Sequence, residues 1–101
     1  MRKYTLVFTQ EAEDDFDQII DYIATENPVR ALSFIEELRD SLINTLEVAP
    51  KGGRRILNAR FFVFGNYIAV YDVDHAHNRV VIHMVTHASR EWRKLFKARM
   101  S

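Results

Sequence analysis

In the first half of the chain, a short stretch with strand-like alternation of side chains is followed by apolar residues at helical spacing. Residues 3–8 alternate in side-chain character, with Tyr4, Leu6 and Phe8 on one side, which predicts a strand. From Ala12 to Ile23, apolar residues recur every three or four positions, and Thr9 suits the N-cap of a helix. We therefore predict an amphipathic helix of about four turns after the first strand.

A second helix is predicted to begin at Asn27-Pro28. Asparagine suits the N-cap, and proline suits the first helical position, where its missing N–H costs nothing. The helix is expected to stop near Glu47, before Pro50. Its apolar stripe is formed by Ala31, Ile35, Leu38, Leu42 and Leu46, joined by Leu32, Phe34 and Ile43. Two such helices with a tight connection form an antiparallel hairpin.

The second half of the chain changes to strand periodicity. Residues 51–55 are basic and contain two glycines, which predicts a flexible loop. Residues 60–64 and 67–73 flank Gly65-Asn66, a strong hairpin signal. Residues 79–86 predict a further strand, with Val80, Ile82 and Met84 on one face and Val81, His83 and Val85 on the other. Ser89 is predicted to cap a short final helix over residues 90–100.

These elements predict one α+β domain over residues 1–101, with the order β-α-α-β-β-β and a short C-terminal helix. Short turns make the sheet mainly antiparallel, and the helical hairpin is expected to cover one face. The other face is expected to be partly solvated, or covered by the final helix or a partner. Exposed aromatic residues would then mark a docking surface, either Tyr67 and Tyr71 or Phe62 and Phe64.

The composition favours an ordered intracellular protein. Apolar residues make up 48% of the chain, against three glycines and two prolines. The absence of cysteine excludes disulfides and thiolate metal sites and favours a reducing compartment. No apolar run suits a signal peptide or a membrane span, so a cytoplasmic location without membrane contact is expected.

The charge is divided between the two halves. Residues 1–50 hold 4 basic and 11 acidic side chains, a net charge of −7, and residues 51–101 hold 10 and 3, a net charge of +7. The division predicts two surfaces of opposite charge, unless each half only solubilises itself. The zero total disfavours tight binding of nucleic acid, where phosphate neutralisation supplies much of the affinity.

Three other patterns do not indicate a metal site, an acid–base site or a phosphate-binding loop. The histidines have no specific metal-ligand spacing, although His83 and His87 are expected on one face of a strand. The first helix carries its carboxylates on an outer face, without a pocket to separate their pKa values. The glycine pair neither follows a strand nor opens a helix, as a phosphate-binding loop would. We therefore expect no metal and no cofactor.

The basic residues of the second half are the main functional candidates. Antiparallel pairing is expected to bring some of them together, with an aromatic residue nearby. Arginine with histidine can hold a phosphate and transfer a proton, and the same set can dock on an acidic protein. The candidates for contact with a target are Arg54, Arg55, Arg60, His87, Arg90 and Trp92.

Taken together, the motifs resemble the RelE/ParE toxins of bacterial type II toxin–antitoxin systems, and within them the ParE branch. The similarity extends over nearly the whole chain, through FTQEAEDDFDQIIDYIATENP, LEVAPKGGRR, FFVFGNYIAVYDV and VVIHMVTHASRE. The last segment, with His87 followed by Arg90 and an acid, is the most diagnostic. The resemblance implies a compact toxin that a cognate antitoxin neutralises by wrapping an extended segment around it, in a hetero-oligomer.

The resemblance implies one of two activities. ParE-like members poison DNA gyrase and arrest replication, whereas RelE-like members cut mRNA in the ribosomal A site. The ribonucleases carry an arginine just after the aromatic residue that opens the third strand, where this chain has Ile68, and a C-terminal tyrosine, where it has Trp92 or Phe96. Gyrase inhibition without catalysis is therefore expected.

Two other readings stay open. A ribosome-dependent nuclease would use His87, Arg90 and Arg55, and a detoxified relative would retain only antitoxin contact. The candidates for antitoxin contact are Phe16, Ile20, Tyr67 and Tyr71, although the first two are expected in the core.

Overall fold

The computed structural model describes residues 3–101. In this range the elements are β1 (Thr5–Phe8), α1 (Gln10–Ala24), α2 (Pro28–Leu46), β2 (Arg54–Ile56), β3 (Ala59–Phe64), β4 (Tyr67–Asp74), β5 (Arg79–His87) and α3 (Trp92–Met100). The predicted α+β fold, with a helical hairpin and a mainly antiparallel sheet, is confirmed. Residues 54–56 form a short strand where a loop was predicted, because they pair with the start of β3.

Side-chain caps set the starts of the first two helices. The Thr9 hydroxyl oxygen accepts a hydrogen bond from the Ala12 N–H at 3.1 Å, and the Asn27 side chain accepts one from the Arg30 N–H at 3.1 Å. Both caps were predicted from the sequence. The predicted cap of the last helix is wrong, because Ser89 bonds to His87 instead and α3 begins only at Trp92.

The strands form one sheet in the order β1-β5-β4-β3-β2. β1 runs parallel to β5, and every other neighbouring pair is antiparallel. The β1 pairing ends where Phe8 lies beside Ile82. Within residues 3–101, the remainder of β5 therefore has no strand on its outer side.

Helices cover both faces of the sheet. On the hairpin face, Phe16 of α1 and Leu42 of α2 pack in one core with inward residues of β4 and β5, including Tyr71 and Ile82. The opposite face packs α3 against a smaller cluster that contains Ile68, Val70, Met84, Trp92 and Phe96. Tyr67 and Tyr71 are therefore buried, contrary to the prediction of an aromatic docking surface at these positions, while Phe62 and Phe64 are half-buried. Leu32, assigned to the apolar stripe, is 63% exposed.

β5 does not keep the simple alternation that the sequence predicted. Val70 lies opposite Met84, and the next residue, Tyr71, lies opposite Ile82, so His83 is an extra residue in a β-bulge. Ile82 and Val85 consequently belong to the hairpin-face core, while Met84 belongs to the α3-face core. The bulge also separates the two histidines that were expected on one face. His83 lies 3.0 Å from Asp72, whereas the ring of His87 lies against Tyr67.

Candidate functional site

A cleft of about 330 Å³ opens between α1 and the adjoining ends of β4 and β5. We call it the His87 cleft, and its lining includes Asp15, Gln18, Tyr22, Tyr67, His87, Ser89 and Arg90. Strand pairing places Tyr67 directly beside His87, and the chain then turns so that Arg90 borders the same space. Two of the predicted target-contact residues therefore meet here.

Hydrogen bonds fix the ring of His87. Its Nδ1 atom lies 3.1 Å from the backbone nitrogen of Ser89 and 2.7 Å from the Ser89 hydroxyl. A backbone N–H can only donate, so Nδ1 acts as the acceptor, and the neutral ring carries its proton on Nε2. The ring also stands edge-on to Tyr67 at 5.1 Å between centroids. In this arrangement His87 is a hydrogen-bond donor of fixed orientation.

Two tyrosines form an aromatic wall of the cleft. Burial raises the pKa of the Tyr67 phenol, and the nearby Tyr22 raises it further, so Tyr67 remains neutral at physiological pH. Tyr22 is 75% exposed, an unusual position for a large aromatic side chain. The sequence reasoning did not single out Tyr22, although it lies one position before Ile23 at the edge of the apolar stripe.

Asp15, the carboxylate that lines the cleft, already has hydrogen-bond partners within the protein. Asp15 is 7% exposed and accepts two hydrogen bonds from Arg99, at 2.8 and 3.0 Å, and a third from the Val85 N–H at 2.9 Å. The same contact raises the pKa of Arg99 above its ordinary value. These three bonds engage both oxygens of the carboxylate, so Asp15 acts as a structural anchor. This pair could not be predicted from sequence patterns, because its members lie 84 positions apart.

A second depression, of about 470 Å³, lies on the α3 face. We call it the Trp92 groove, and its lining includes Gly53, Arg54, Phe61, Val63, Ile68, Trp92 and Arg93. Trp92 is only 5% exposed and its ring packs against Phe61 at 4.8 Å between centroids. Most of the Trp92 side chain therefore belongs to the α3-face core, which leaves little of it to contact a target.

The predicted target-contact residues do not form one site. Arg54 lies on β2 and His87 on β5, with β3 and β4 between them. At about 4.8 Å for each step between neighbouring strands, strands β2 and β5 are roughly 14 Å apart. Arg55 lies on the same remote strand, opposite Arg60. The expected cluster of arginines around His87 is thus reduced to Arg90 alone.

Arg60 has a local structural contact. Its guanidinium donates to the backbone carbonyl of Gly53 at 3.1 Å and to that of Lys51 at 3.3 Å. These bonds tie the segment before β2 to β3. Arg60 is therefore partly committed to holding this loop.

The predicted antitoxin-contact residues are mostly inside the molecule. Phe16 and Tyr71 are 1% and 0% exposed and belong to the hairpin-face core. Neither presents surface to a partner in this structure, which corrects that prediction for both. Ile20 is half-buried against the same core, and Tyr67 reaches the wall of the His87 cleft.

The remaining histidines have local partners. His75 lies 3.0 Å from the Tyr4 hydroxyl, and His77 lies 2.9 Å from Asp74. No group of three histidine, aspartate or glutamate residues within positions 3–101 is placed to hold a metal ion. No helix in this range is long and apolar enough to cross a membrane.

Comparison with known proteins identifies the family. The family model described as the ParE toxin of the type II toxin–antitoxin system parDE matches residues 6–92. No curated protein matches the chain. Similar solved structures include a chain of the chromosomal ParDE system from P. aeruginosa, with 19% identity and a TM-score of 0.74, covering 86% of this chain and 98% of that one.

Two RelBE structures share the fold. A chain of the RelBE2 toxin–antitoxin complex from Mycobacterium tuberculosis has 24% identity and a TM-score of 0.70, and the alignment covers 88% of this chain and 97% of that one. A chain of the intact E. coli RelBE complex has 22% identity and a TM-score of 0.55, with 86% and 99% covered. These likenesses show a common fold, and the family match shows the branch. The chain belongs to the ParE toxin family of type II toxin–antitoxin systems.

Proposed function

We propose that this ParE-family toxin inhibits DNA gyrase in the cytoplasm and so arrests replication and growth, without catalysing a reaction of its own. The observation that carries the proposal is the environment of Ile68. This residue is 4% exposed and belongs to the α3-face core with Trp92 and Phe96. It occupies the position where the ribonucleases of the superfamily are expected to carry an arginine. An unpaired arginine among these side chains would incur a large desolvation cost.

The other elements of a nuclease site are also unfavourable. The C-terminal tyrosine position is taken by Trp92 or Phe96, both of which are apolar and buried. Arg55 is on β2, remote from the His87 cleft. Asp15, the carboxylate of the cleft, is bound by Arg99 and by a backbone N–H. These placements favour a toxin that acts by binding.

We propose in addition that a cognate antitoxin binds and neutralises the chain in a hetero-oligomer. Similar solved structures are described as a ParDE toxin–antitoxin system and as RelBE toxin–antitoxin complexes, which supports a partner of this kind. The half-buried Ile20 and the cleft residue Tyr67 remain candidates for that contact. Coexpression with the adjacent small open reading frame, followed by copurification, tests the pairing.

Ribosome-dependent mRNA cleavage is the second candidate, and one observation favours it. His87 and Arg90 line the same cleft, with a donor histidine of fixed orientation beside a cation. Such a pair can bind a phosphate and protonate a leaving group. The candidate also needs a general base, and both oxygens of Asp15, the carboxylate of the cleft, are held by Arg99 and the Val85 N–H.

Parallel assays of gyrase supercoiling and of mRNA integrity in a translating extract test the two candidates. The proposal expects the purified toxin to inhibit supercoiling and to leave mRNA intact. Cleavage of mRNA that is lost in both His87→Ala and Arg90→Ala, without any effect on gyrase, would establish the nuclease instead. Lys94→Ala is the matched control, because Lys94 is an exposed cation that pairs with Glu91 and lies outside the cleft.

A further inference from the structure

The linings of the Trp92 groove and the His87 cleft have no residue in common. We propose that this groove binds a short acidic segment of a partner protein, with the carboxylates held by Arg54 and Arg93 and aliphatic side chains seated between them. The inference stands on the groove alone and does not depend on the identity of the toxin's target.

The charge of the groove is unneutralised. Arg54 and Arg93 both line it, and none of its described lining residues carries a carboxylate. Neither arginine forms an ion pair within residues 3–101. Lys94, the residue after Arg93, differs because it pairs with Glu91 at 3.5 Å. The groove therefore keeps two positive charges for an external anion.

Arg93 is held in place for such a contact. Its guanidinium carbon lies 4.4 Å from the centre of the Trp92 ring and 5.5 Å from that of Phe61. A stacked guanidinium keeps the N–H groups at its edge free, and a carboxylate can accept hydrogen bonds from two of them. Because the side chain is already ordered, binding costs less conformational entropy than it would for a free arginine.

The floor of the groove is apolar. Val63 is 50% exposed and sits beside the half-buried Phe61, while Ile68 closes the bottom. Burial of such surface contributes about 25 cal/mol for each Å² removed from water. A partner that supplies aliphatic side chains as well as carboxylates therefore matches the groove better than a fully polar anion.

Protein fits this groove better than nucleic acid. Single-stranded nucleic acid needs exposed aromatic faces for its bases and a run of cations along its phosphates. Trp92 is 5% exposed, and Arg93 lies over its ring. The net charge of the whole chain is zero. The groove thus offers a carboxylate clamp without a stacking platform.

Fluorescence of the full chain tests the proposal, because Trp92 is the single tryptophan of the protein. The probe is a short peptide of alternating aspartate and valine. We expect a saturable change in emission with a Kd below about 1 mM. Arg54→Glu and Arg93→Glu are each expected to weaken binding by about tenfold or more, and the milder Arg54→Gln and Arg93→Gln by a smaller factor.

Lys94→Glu is the matched control, since it makes the same charge change one residue from Arg93 but outside the groove. The affinity of this variant for the peptide is expected to stay within about twofold of that of the unsubstituted chain. An equal loss in Lys94→Glu, tighter binding of oligothymidylate than of the peptide, or no saturable response would each overturn the proposal. Circular dichroism of every variant separates lost binding from lost folding. Gyrase inhibition is measured separately, so either proposal can fail while the other holds.

Discussion

Asp15 and Arg99 together close the part of the β5 edge that β1 does not reach. The Asp15 carboxylate accepts the N–H of Val85 at 2.9 Å, and the Arg99 guanidinium donates to the carbonyl of His83 at 2.8 Å. Both backbone groups lie beyond Ile82, where the pairing with β1 ends. The ion pair thus supplies the donor and the acceptor that a further strand residue would have offered, and it joins α1 to α3 at the bulge.

Asp15→Ala is expected to destabilise the domain by about 3 kcal/mol, because it leaves the partly buried Arg99 without a counter-charge and the Val85 N–H without an acceptor. Urea unfolding measures the change. The control is Asp14→Ala, an exposed residue of the same helix, which is expected to cost less than about 0.5 kcal/mol. The double variant with Arg99→Ala should cost less than the sum of the two single variants, and strict additivity would contradict the coupling.

Gly53→Ala is expected to destabilise the fold by about 1–3 kcal/mol through a steric clash. A Cβ atom at this position would lie 2.5 Å from the Tyr71 hydroxyl and 2.6 Å from the Phe61 carbonyl oxygen. Thermal unfolding checks the loss. Tyr71→Phe isolates the hydrogen bond that Gly53 N–H donates to the hydroxyl at 3.0 Å, and it should lower the stability less than the alanine does. A Gly53→Ala protein as stable as the original would show that the contact is loose.

Asp74 is expected to make stability depend on pH at the acid end. Hydrogen bonds from Arg79 and then His77 lower the pKa of its carboxyl to about 2 in the folded state, against about 3.9 in an unfolded chain. The unfolded state therefore binds more protons between these values. The stabilisation is complete above about pH 4 and is lost as the pH falls towards 2.

The measurement is the difference in Tm between the original chain and Asp74→Asn, taken from pH 6 down to pH 2. We expect the difference to be present at pH 6 and to shrink below about pH 4. The effect is expected to be modest because the ion pair is open to solvent. A difference that stays constant across this range would exclude the titration of Asp74 as its cause.

Leu57→Asn is expected to stabilise the protein by about 0.5–1 kcal/mol, which raises the Tm by a few degrees. Leu57 opens the turn between β2 and β3 with a φ of 52°, a left-handed conformation that asparagine adopts more easily than leucine. Its side chain is 57% exposed, so little packing is lost. The same replacement at Leu32, which is exposed in a right-handed helix, should lower the Tm instead. Equal effects at both positions would point to hydrophobicity as the cause.

Much of the fold was predictable because its signals are local. The caps at Thr9 and Asn27 and the turn at Gly65-Asn66 each act through neighbouring residues, and each lies where the sequence placed it. The short β2 strand was missed because its three residues carry two arginines and gain their strand form from pairing with β3. The composition of a short segment does not reveal a strand partner that lies elsewhere in the sequence.

The candidate site was harder to predict because it depends on contacts between distant residues. His87 and Arg90 were found since they share one short motif. The expected convergence of Arg54 and Arg55 on that motif failed because two strands separate them from β5. The bulge at His83 also escaped prediction, since one inserted residue reverses the facing of every side chain after it and leaves no mark on the apolar pattern.

The parallel pairing of β1 with β5 governs the order in which the chain can fold during synthesis. β1 is made well before its strand neighbour, which begins at Arg79. Arg99, which anchors α3 to α1, is made later still. The sheet therefore cannot be completed on a ribosome until β5 has emerged, and a product that ends before β5 would lack both the neighbour of β1 and the anchor of α1.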